Sequence, residues 1–342
     1  MANNDWQEYQ FIQGAVFNNE TISSFGNIQN ELICTQNQNI ICDLSHLGLL
    51  EISGGDAVTF LQGQVTNDVK LLNASNAHYT GYCSPKGRLL ALFFAFSHHQ
   101  KLHFQLNQKL LEPISKRLKM YVMRSKVSIN NVSDTVVKIG LNGNDVPALL
   151  VTFFSHIPTQ AYESFSEENA TLIRLAGNSP RFEIICETER AKQIWQSLKA
   201  KCKPVGRACW EWLEIQAGIP DIYVQTQEEF VPQMVNLDLL NAINFKKGCY
   251  TGQEIVARTH YLGKVKRRTH LAHIATSTPP QAGDDVMNLN KEAVGKIVRS
   301  AIAPANGYSV LAEIRLESVE TGDLFVNDTK LEIQALPYAL NE

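Results

Sequence analysis

The sequence has no C-x-x-C pair, no excess of basic residues and no long apolar run. Its seven cysteines stand at positions 34, 42, 83, 186, 202, 209 and 249. An odd number of cysteines without paired spacings excludes a disulfide framework or a zinc knuckle and indicates a reducing compartment. The net charge of −3 disfavours wholesale electrostatic binding of nucleic acid and leaves a local basic patch open.

The apolar runs are also too short to cross a bilayer. The longest purely apolar run, 89–96, has eight residues, whereas a membrane-spanning helix needs about 20. Residues 1–6 lack the basic and apolar regions of a signal peptide. We therefore expect a cytoplasmic protein with no membrane partner.

The residue composition of the chain changes near residue 40 and again near residue 263. With 342 residues it is too long for one core, so more than one domain is expected. Residues 1–39 are rich in Asn and Gln with little periodicity, which indicates a peripheral segment. Residues 263–342 carry short strand-like runs separated by Gly, Asn and Pro, a pattern typical of a small antiparallel barrel or sandwich.

Local patterns predict several elements between these segments. Strand-like runs flank Ser84-Pro85-Lys86-Gly87, and Pro followed by Gly at that distance predicts a hairpin. Pro113 indicates a late start or a kink in the helix that is predicted there. Helices are predicted at 108–121, 189–201 and 207–217.

Cys249 is the strongest candidate for chemistry. It lies in the octapeptide Lys247-Gly248-Cys249-Tyr250-Thr251-Gly252-Gln253-Glu254. Thr251 and Glu254 fit a capping box, which predicts a helix that starts at Thr251 and ends before Gly263. The flanking glycines, Gly248 and Gly252, would let the backbone approach a ligand closely.

This context favours the thiolate form of Cys249. The thiol would lie near the positive end of the helix dipole, directly after Lys246 and Lys247. The alternative is a half-buried cysteine in an ordinary turn. No histidine pairs with Cys249 in the sequence pattern, so a hydrolase triad is not indicated.

Two further features of the sequence, a basic segment and a pair of tryptophans, each have two possible interpretations. The segment 258–268 holds His260, Tyr261 and the basic residues Arg258, Lys264, Lys266, Arg267 and Arg268. It is either a patch for phosphates or nucleic acid, or a solvated helix end and linker. Trp210 and Trp212 point to different faces of a helix, so one of them can stack on a planar heterocycle such as a pterin; packing of both in the core is the alternative.

The octapeptide resembles the signature of the YgfZ family, folate-binding relatives of the glycine-cleavage T protein (aminomethyltransferase). Further motifs follow in the family's order and extend the resemblance over about residues 40–342. These motifs are Leu61-Gln62-Gly63-Gln64-Val65-Thr66-Asn67-Asp68-Val69, the hairpin Cys83–Arg88, Ser125-Lys126-Val127, Ala217-Gly218-Ile219-Pro220, Phe230-Val231-Pro232-Gln233 and Leu336-Pro337-Tyr338.

The resemblance implies an α+β fold like that of the T protein. Two interlocked α+β subdomains, residues 40–262, would surround a folate channel, and residues 263–342 would form a C-terminal antiparallel β-barrel. It also implies tetrahydrofolate, or a folate derivative, as the cofactor. The implied role is maturation or repair of iron–sulfur enzymes, including those that thiolate tRNA, so the implied partners are folate, iron–sulfur client enzymes and tRNA.

The same resemblance implies the site residues. Cys249 matches the cysteine that the family requires, and Lys247 is placed with it as catalytic. Trp210 matches a tryptophan that contacts folate in the family. Leu47 stands approximately where the family has a second folate-contacting tryptophan, and this departure weakens the prediction for that side of the folate pocket. Gln216 replaces a glutamate of the T protein and keeps hydrogen bonding to a pterin without the charge. Arg258 completes the predicted folate contacts.

One departure disfavours aminomethyl transfer. The aminomethyltransferases carry an Asp-Asp pair just after the hairpin glycine, whereas this chain has Leu90 and Ala91 there. An apolar strand cannot supply the charge that would hold an aminomethyl amine. Three hypotheses remain: a folate-dependent accessory factor with a reactive Cys249, a folate-dependent one-carbon transferase or demethylase, and a tRNA-binding module that uses the segment 258–268.

Overall fold

In a computed structural model, residues 2–167 and 169–340 are described, and the chain passes repeatedly between two compact units. The first unit comprises residues 1–54, 72–77 and 95–211. The second unit comprises residues 55–71, 78–94 and 212–342. Met1, Asn341 and Glu342, at the ends of the predicted terminal segments, lie outside the described residues.

Helices and strands are mixed as far as residue 261, and strands predominate after it. The helices are α1 (Ala2–Ile12), α2 (Ile28–Asn37), α3 (Ala57–Gln62), α4 (Gln108–Val122), α5 (Val146–Leu150), α6 (Thr188–Leu198), α7 (Arg207–Gln216), α8 (Gln253–Tyr261) and α9 (Leu316–Thr321). The strands are β1 (Val16–Asn18), β2 (Thr21–Ser24), β3 (Ile40–Asp43), β4 (Leu47–Ser53), β5 (Ala77–Cys83), β6 (Leu89–His98), β7 (Lys101–Asn107), β8 (Ser128–Asn131), β9 (Val137–Asn142), β10 (Ser164–Glu167), β11 (Ala170–Leu175), β12 (Arg181–Cys186), β13 (Lys203–Val205), β14 (Arg267–Ile274), β15 (Asp285–Asn288), β16 (Ala293–Ile302), β17 (Tyr308–Arg315), β18 (Leu324–Val326) and β19 (Thr329–Gln334). Within the described ranges, no helix is both long and apolar enough to span a bilayer.

The core of the first unit is built on a six-stranded sheet. Its order is β10-β11-β12-β9-β3-β13, with β13 parallel to β3 and the other pairs antiparallel. Every residue of β9 and β12 is buried, as expected for central strands covered on both faces. Helix α6 places Ile194, Trp195 and Leu198 in the hydrophobic cluster on this sheet, because these positions share one helical face.

The N-terminal segment, which is predicted to be peripheral, contributes a few buried side chains to this core. Trp6 is 1% exposed, and its indole N–H donates to Asp43 Oδ1 at 2.8 Å. Glu31, also buried, accepts from the backbone N–H groups of Phe25 and Gly206. The Asn- and Gln-rich composition of the segment concealed these few anchoring side chains.

A five-stranded sheet, with the order β5-β6-β7-β4-β8, confirms the predicted hairpin. The Ser84 N–H donates to the Arg88 carbonyl at 2.8 Å, and the Gly87 N–H donates to the Ser84 carbonyl at 2.9 Å. Pro113 lies inside α4 and does not delay its start. The Asn107 side chain caps that helix by accepting from the Lys109 N–H.

The last part of the second unit is a closed antiparallel barrel, which confirms the T-protein-like prediction. Its order is β14-β17-β16-β15-β18-β19. Alternating residues of β14 and β17 fill much of the barrel core, namely Ala272 and Ile274 with Val310, Ala312 and Ile314. Strand β14 was not among the predicted elements, and it begins with two arginines of the basic segment 258–268.

Buried neutral histidines make the fold sensitive to acid. Burial, followed by repulsion from His99 and His103, lowers the pKa of His98 to about 3; burial lowers the pKa of His270 to about 4. An unfolded histidine has a pKa of about 6.5, so the unfolded state binds more protons below that pH and stability falls as the pH drops toward 4. We expect His98→Gln to recover about 1–2 kcal/mol of the unfolding free energy lost between pH 7.5 and 5. Urea unfolding at both pH values measures this.

The matched control for His98→Gln is His156→Gln, because the His156 side chain is 53% exposed. This control should leave the loss of stability between the two pH values close to that of the wild type. An equal effect of both substitutions would show that burial of His98 is not the cause.

Candidate functional site

Cys249 differs from the other cysteines in exposure. It is exposed and Cys34 is partly buried, whereas the remaining five are buried. Burial raises the pKa of Cys83, Cys186 and Cys202 to about 12, which keeps these thiols protonated. Cys249 is therefore the thiol that solvent and partners reach most easily.

The Lys247 ammonium fixes the base of the Cys249 loop, which we define as residues 244–252. It is buried and donates to the carbonyls of Val65 at 2.6 Å and Asn67 at 2.7 Å. Burial lowers the pKa of Lys247 to about 8, although Asp68 opposes that effect. The ammonium group thus holds the loop onto the 61–69 motif.

The 61–69 motif also binds the end of the loop and the chain that leads into it. Thr66 donates through Oγ1 to the Ala242 carbonyl at 2.7 Å, and the Asn67 amide donates to the Asn241 carbonyl at 2.8 Å. The Thr251 N–H donates to the Gly63 carbonyl at 3.3 Å. Two family motifs that are remote in the sequence therefore form one backbone frame.

Helix α8 begins differently from the prediction. Its N-cap is Gly252, which has φ +81° and makes no side-chain capping bond, so the capping box of Thr251 and Glu254 is wrong. The left-handed conformation brings the backbone against the hairpin turn, where a Cβ at position 252 would collide with the Ser84 carbonyl oxygen and Gly87. The predicted helix end before Gly263 is confirmed, since α8 ends at Tyr261.

The 230–233 motif connects the hairpin to α8. The Arg88 guanidinium donates to the Glu229 carbonyl at 2.6 Å, and the Leu89 N–H donates to the Phe230 carbonyl at 2.8 Å. The Gln233 amide donates to the Val256 carbonyl of α8 at 2.7 Å. The start of α8 is thus held by the hairpin and by this motif.

Trp210 lies in the first unit, in a group that we call the acidic–aromatic cluster: Trp210, Gly140, Arg181, Glu183 and Gln105. Trp210 is 2% exposed, and its six-membered ring packs so closely on Gly140 that no side chain fits there. The Arg181 guanidinium lies 4.7 Å from the ring centroid. The indole therefore contacts both strand β9 and a cation.

Glu183 brings a buried carboxylate to this cluster. It is 2% exposed and pairs in register with Gly140, and it accepts from Gln105 Nε2 at 3.2 Å. Gln105 Oε1 is buried with no hydrogen-bond partner among the described residues. Sequence reasoning missed Glu183. The available signal was Arg181-Phe182-Glu183, two charges at alternate positions of a buried strand.

The other predicted folate contacts are spread over both units. Leu47 begins β4 in the first unit and is partly buried. In the second unit, Gln216 ends α7 and donates to Ser309 Oγ at 3.4 Å, a hydroxyl that also accepts from Trp212 Nε1. Arg258 is exposed on α8 of that unit. Trp212 is 9% exposed, so both tryptophans of α7 are buried.

The basic segment 258–268 is only partly available to a ligand. Arg267 donates twice to Glu313, at 2.9 and 2.7 Å. Arg268 donates twice to Asp238, at 2.6 and 2.9 Å. These two arginines stabilise the start of β14, and the remaining basic residues of the segment, Arg258, Lys264 and Lys266, are exposed.

Known proteins match nearly the whole chain. The GCVT N-terminal domain family matches residues 6–247. The tRNA-modifying protein YgfZ of Yersinia pestis (strain Pestoides F) is 33% identical over 309 residues, which cover 88% of this chain and 93% of the relative. The chain belongs to the YgfZ family. A second YgfZ, from Sodalis glossinidius (strain morsitans), is 30% identical over 308 residues, with 88% and 94% of the two chains covered.

A solved structure supports the fold of this YgfZ-family chain. The glycine cleavage system aminomethyltransferase T from Bartonella henselae superposes with a TM-score of 0.79 over 96% of each chain, at 17% sequence identity. At that identity the likeness shows the fold alone. It confirms the predicted T-protein-like architecture.

The exposure of Cys249 predicts selective labelling. With limiting iodoacetamide at pH 7.5, we expect Cys249 to react about tenfold or more faster than the buried cysteines, because those react only when the fold opens. Peptide mass spectrometry measures the rate at each site, and a urea-unfolded sample in which all seven cysteines react is the control. Faster labelling of any buried cysteine would contradict the structure.

The frame around Gly252 predicts a contrast between two glycines. Gly252→Ala forces a side chain into a left-handed, crowded position, so we expect a loss of about 1–3 kcal/mol in unfolding free energy. Gly248→Ala is the matched control. A Cβ there meets nothing within 4 Å, and the change should stay within about 0.5 kcal/mol. Urea unfolding compares them, and equal stability of the two variants would refute the packing argument.

Proposed function

We propose that this protein is a tetrahydrofolate-binding accessory factor for tRNA modification. It would serve the maturation or repair of iron–sulfur enzymes, including those that thiolate tRNA. The observation that carries the proposal is the exposed Cys249, held in a frame built from the family's own motifs. The relatives at 30–33% identity, each called a tRNA-modifying protein, support the tRNA part.

The acidic–aromatic cluster supports the folate part. The pterin of folate is planar and carries N–H groups on one edge, so it suits an aromatic ring beside hydrogen-bond acceptors. Trp210 offers the ring, and Glu183 and the unpartnered Gln105 Oε1 offer the acceptors. When bound, tetrahydrofolate supplies nitrogen atoms that carry one-carbon units. Leu47, Gln216 and Arg258 remain predicted contacts.

In this proposal Lys247 is a positioning residue for Cys249. Its ammonium donates to two carbonyls, so it orients the loop and does not need to exchange a proton with the thiol. Among the described residues, no hydrogen bond to Cys249 Sγ is formed that would identify a general base. The thiol would therefore act together with a client enzyme.

The folate-dependent transferase or demethylase is the alternative. Leu90 is 6% exposed and Ala91 is 0% exposed, both inside β6. An apolar strand gives no charged group at the positions that hold the aspartate pair in aminomethyltransferases. Turnover of an aminomethylated carrier or an N-methyl substrate by the purified protein would favour this alternative.

Two substitutions should separate folate binding from the thiol function. We expect Trp210→Phe to weaken tetrahydrofolate binding about tenfold, because it removes part of the stacking surface while keeping the site filled. Cys249→Ala should leave folate affinity unchanged and lower the content of thiolated nucleosides in tRNA when it is the only copy in the cell. Calorimetric titration and nucleoside mass spectrometry measure the two effects.

The control for Trp210→Phe is Trp195→Phe, which changes a fully buried tryptophan in the hydrophobic cluster of the same unit. It should reduce stability without changing folate affinity. If Cys249→Ala weakens folate binding as much as Trp210→Phe does, then folate binding and the thiol function are not separate roles. Normal tRNA thiolation in cells whose only copy is Cys249→Ala would contradict the proposed role of the Cys249 thiol.

A further inference from the structure

We propose that the second unit carries a binding surface for unpaired RNA, formed by Phe245, Lys246, Arg258, His260 and Tyr261. We call this surface the α8 face. The proposed function enters only through the choice of tRNA as the natural ligand. The surface itself is inferred from the rings and charges of these residues.

The α8 face presents three aromatic rings in contact. The rings of Phe245 and His260 stack with centroids 3.7 Å apart and planes at 10°. Tyr261 meets His260 edge-on, with centroids 4.7 Å apart and planes at 75°. Tyr261 is 64% exposed and the adjoining Leu262 is 84% exposed, so these side chains do not serve a core. Exposed rings of this kind are the surfaces on which unpaired bases stack.

Two exposed cations lie close to the ring residues along the chain. Lys246 adjoins Phe245, and Arg258 lies one turn before Tyr261 on α8. Both are exposed, and neither forms an ion pair within the described part of the chain. Glu254 is the acidic residue of α8 and lies in its first turn. The excess of positive charge beside the rings suits a phosphate backbone.

Basic side chains continue past the end of α8. Lys264, Lys266 and Arg315 line a cleft of about 1010 Å³ together with Thr259 of the helix. Glu317 and Glu320 also line this cleft and reduce its net charge. The cleft therefore extends the path for a strand, while the aromatic rings remain the distinguishing feature of the α8 face.

The rings distinguish the possible ligands. A duplex keeps its bases stacked inside, so it would use the cations but not the rings. An acidic protein would likewise be satisfied by the cations alone. An unpaired RNA segment uses both features, as bases stack and phosphates pair with Lys246 and Arg258.

The test is binding of a fluorescein-labelled 12-nucleotide oligouridine, followed by anisotropy between 50 and 200 mM salt. The full-length protein should bind it more tightly than a 12-base-pair RNA duplex. Tyr261→Ala should weaken binding about tenfold, by loss of stacking, with an unchanged salt slope. The double variant Lys246→Gln, Arg258→Gln should reduce the slope of log K against log salt by about 1.4, which is about 0.7 per phosphate contact.

Matched controls come from the first unit. Tyr121→Ala removes a tyrosine that is 45% exposed on α4, and Lys201→Gln removes an exposed lysine. Both should bind oligouridine like the wild type. An unchanged urea midpoint for each variant shows that the fold is intact.

Three results would overturn the proposal: wild-type affinity in Tyr261→Ala, tighter binding of the duplex, or competition by polyglutamate as strong as that by unlabelled oligouridine. Titration of tetrahydrofolate into the wild type and Tyr261→Ala separates this outcome from the proposed function, whereas the double variant removes Arg258, a predicted contact of both ligands. Folate binding without oligouridine binding would contradict only the proposal that the α8 face binds RNA. Oligouridine binding without folate binding would contradict only the folate part of the proposed function.

Discussion

The buried ammonium of Lys247 is the constraint on which the Cys249 loop depends. It joins the loop to a carbonyl that lies 182 residues earlier in the chain, at Val65, and to a second one at Asn67. Without this donor, both carbonyls would lose a buried hydrogen bond, at a cost of about 1–3 kcal/mol for each unsatisfied group. The loop and the 61–69 motif are therefore one structural element, and the position of the thiol follows from it.

Close backbone packing completes that element. From the sequence alone, Gly252 was expected to let a ligand approach the backbone. In the structure, the missing side chain lets the hairpin turn of Ser84 and Gly87 pack against the backbone instead. An exposed thiol normally moves with its loop. Here the backbone on both sides of Cys249 is bound, by Lys247 before it and by Gly252 after it, so exposure is combined with a fixed position.

The sequence predicted those features whose signal is local. Helix α4 spans residues 108–122, one residue more than its predicted bounds of 108–121, because the apolar periodicity of one segment is enough to define it. The place of Trp6 in the core was missed because its ring partner, Trp195, lies far along the chain. The ion pair of Arg267 was missed for the same reason, since its partner Glu313 is 46 residues away. Burial of polar and charged groups depends on distant partners, and local periodicity carries no information about these.

Exposure then assigns different chemistry to similar side chains. Trp210 is 2% exposed beside a buried carboxylate, which suits a small planar ligand enclosed by protein. Tyr261 is 64% exposed and lies near exposed cations, which suits a polyanion that approaches from solvent. Cys249 belongs to the second kind of surface. Its loop is held by the hydrogen bonds of Lys247, so a partner that approaches from solvent would meet the thiol at a defined position, as the proposed accessory role requires.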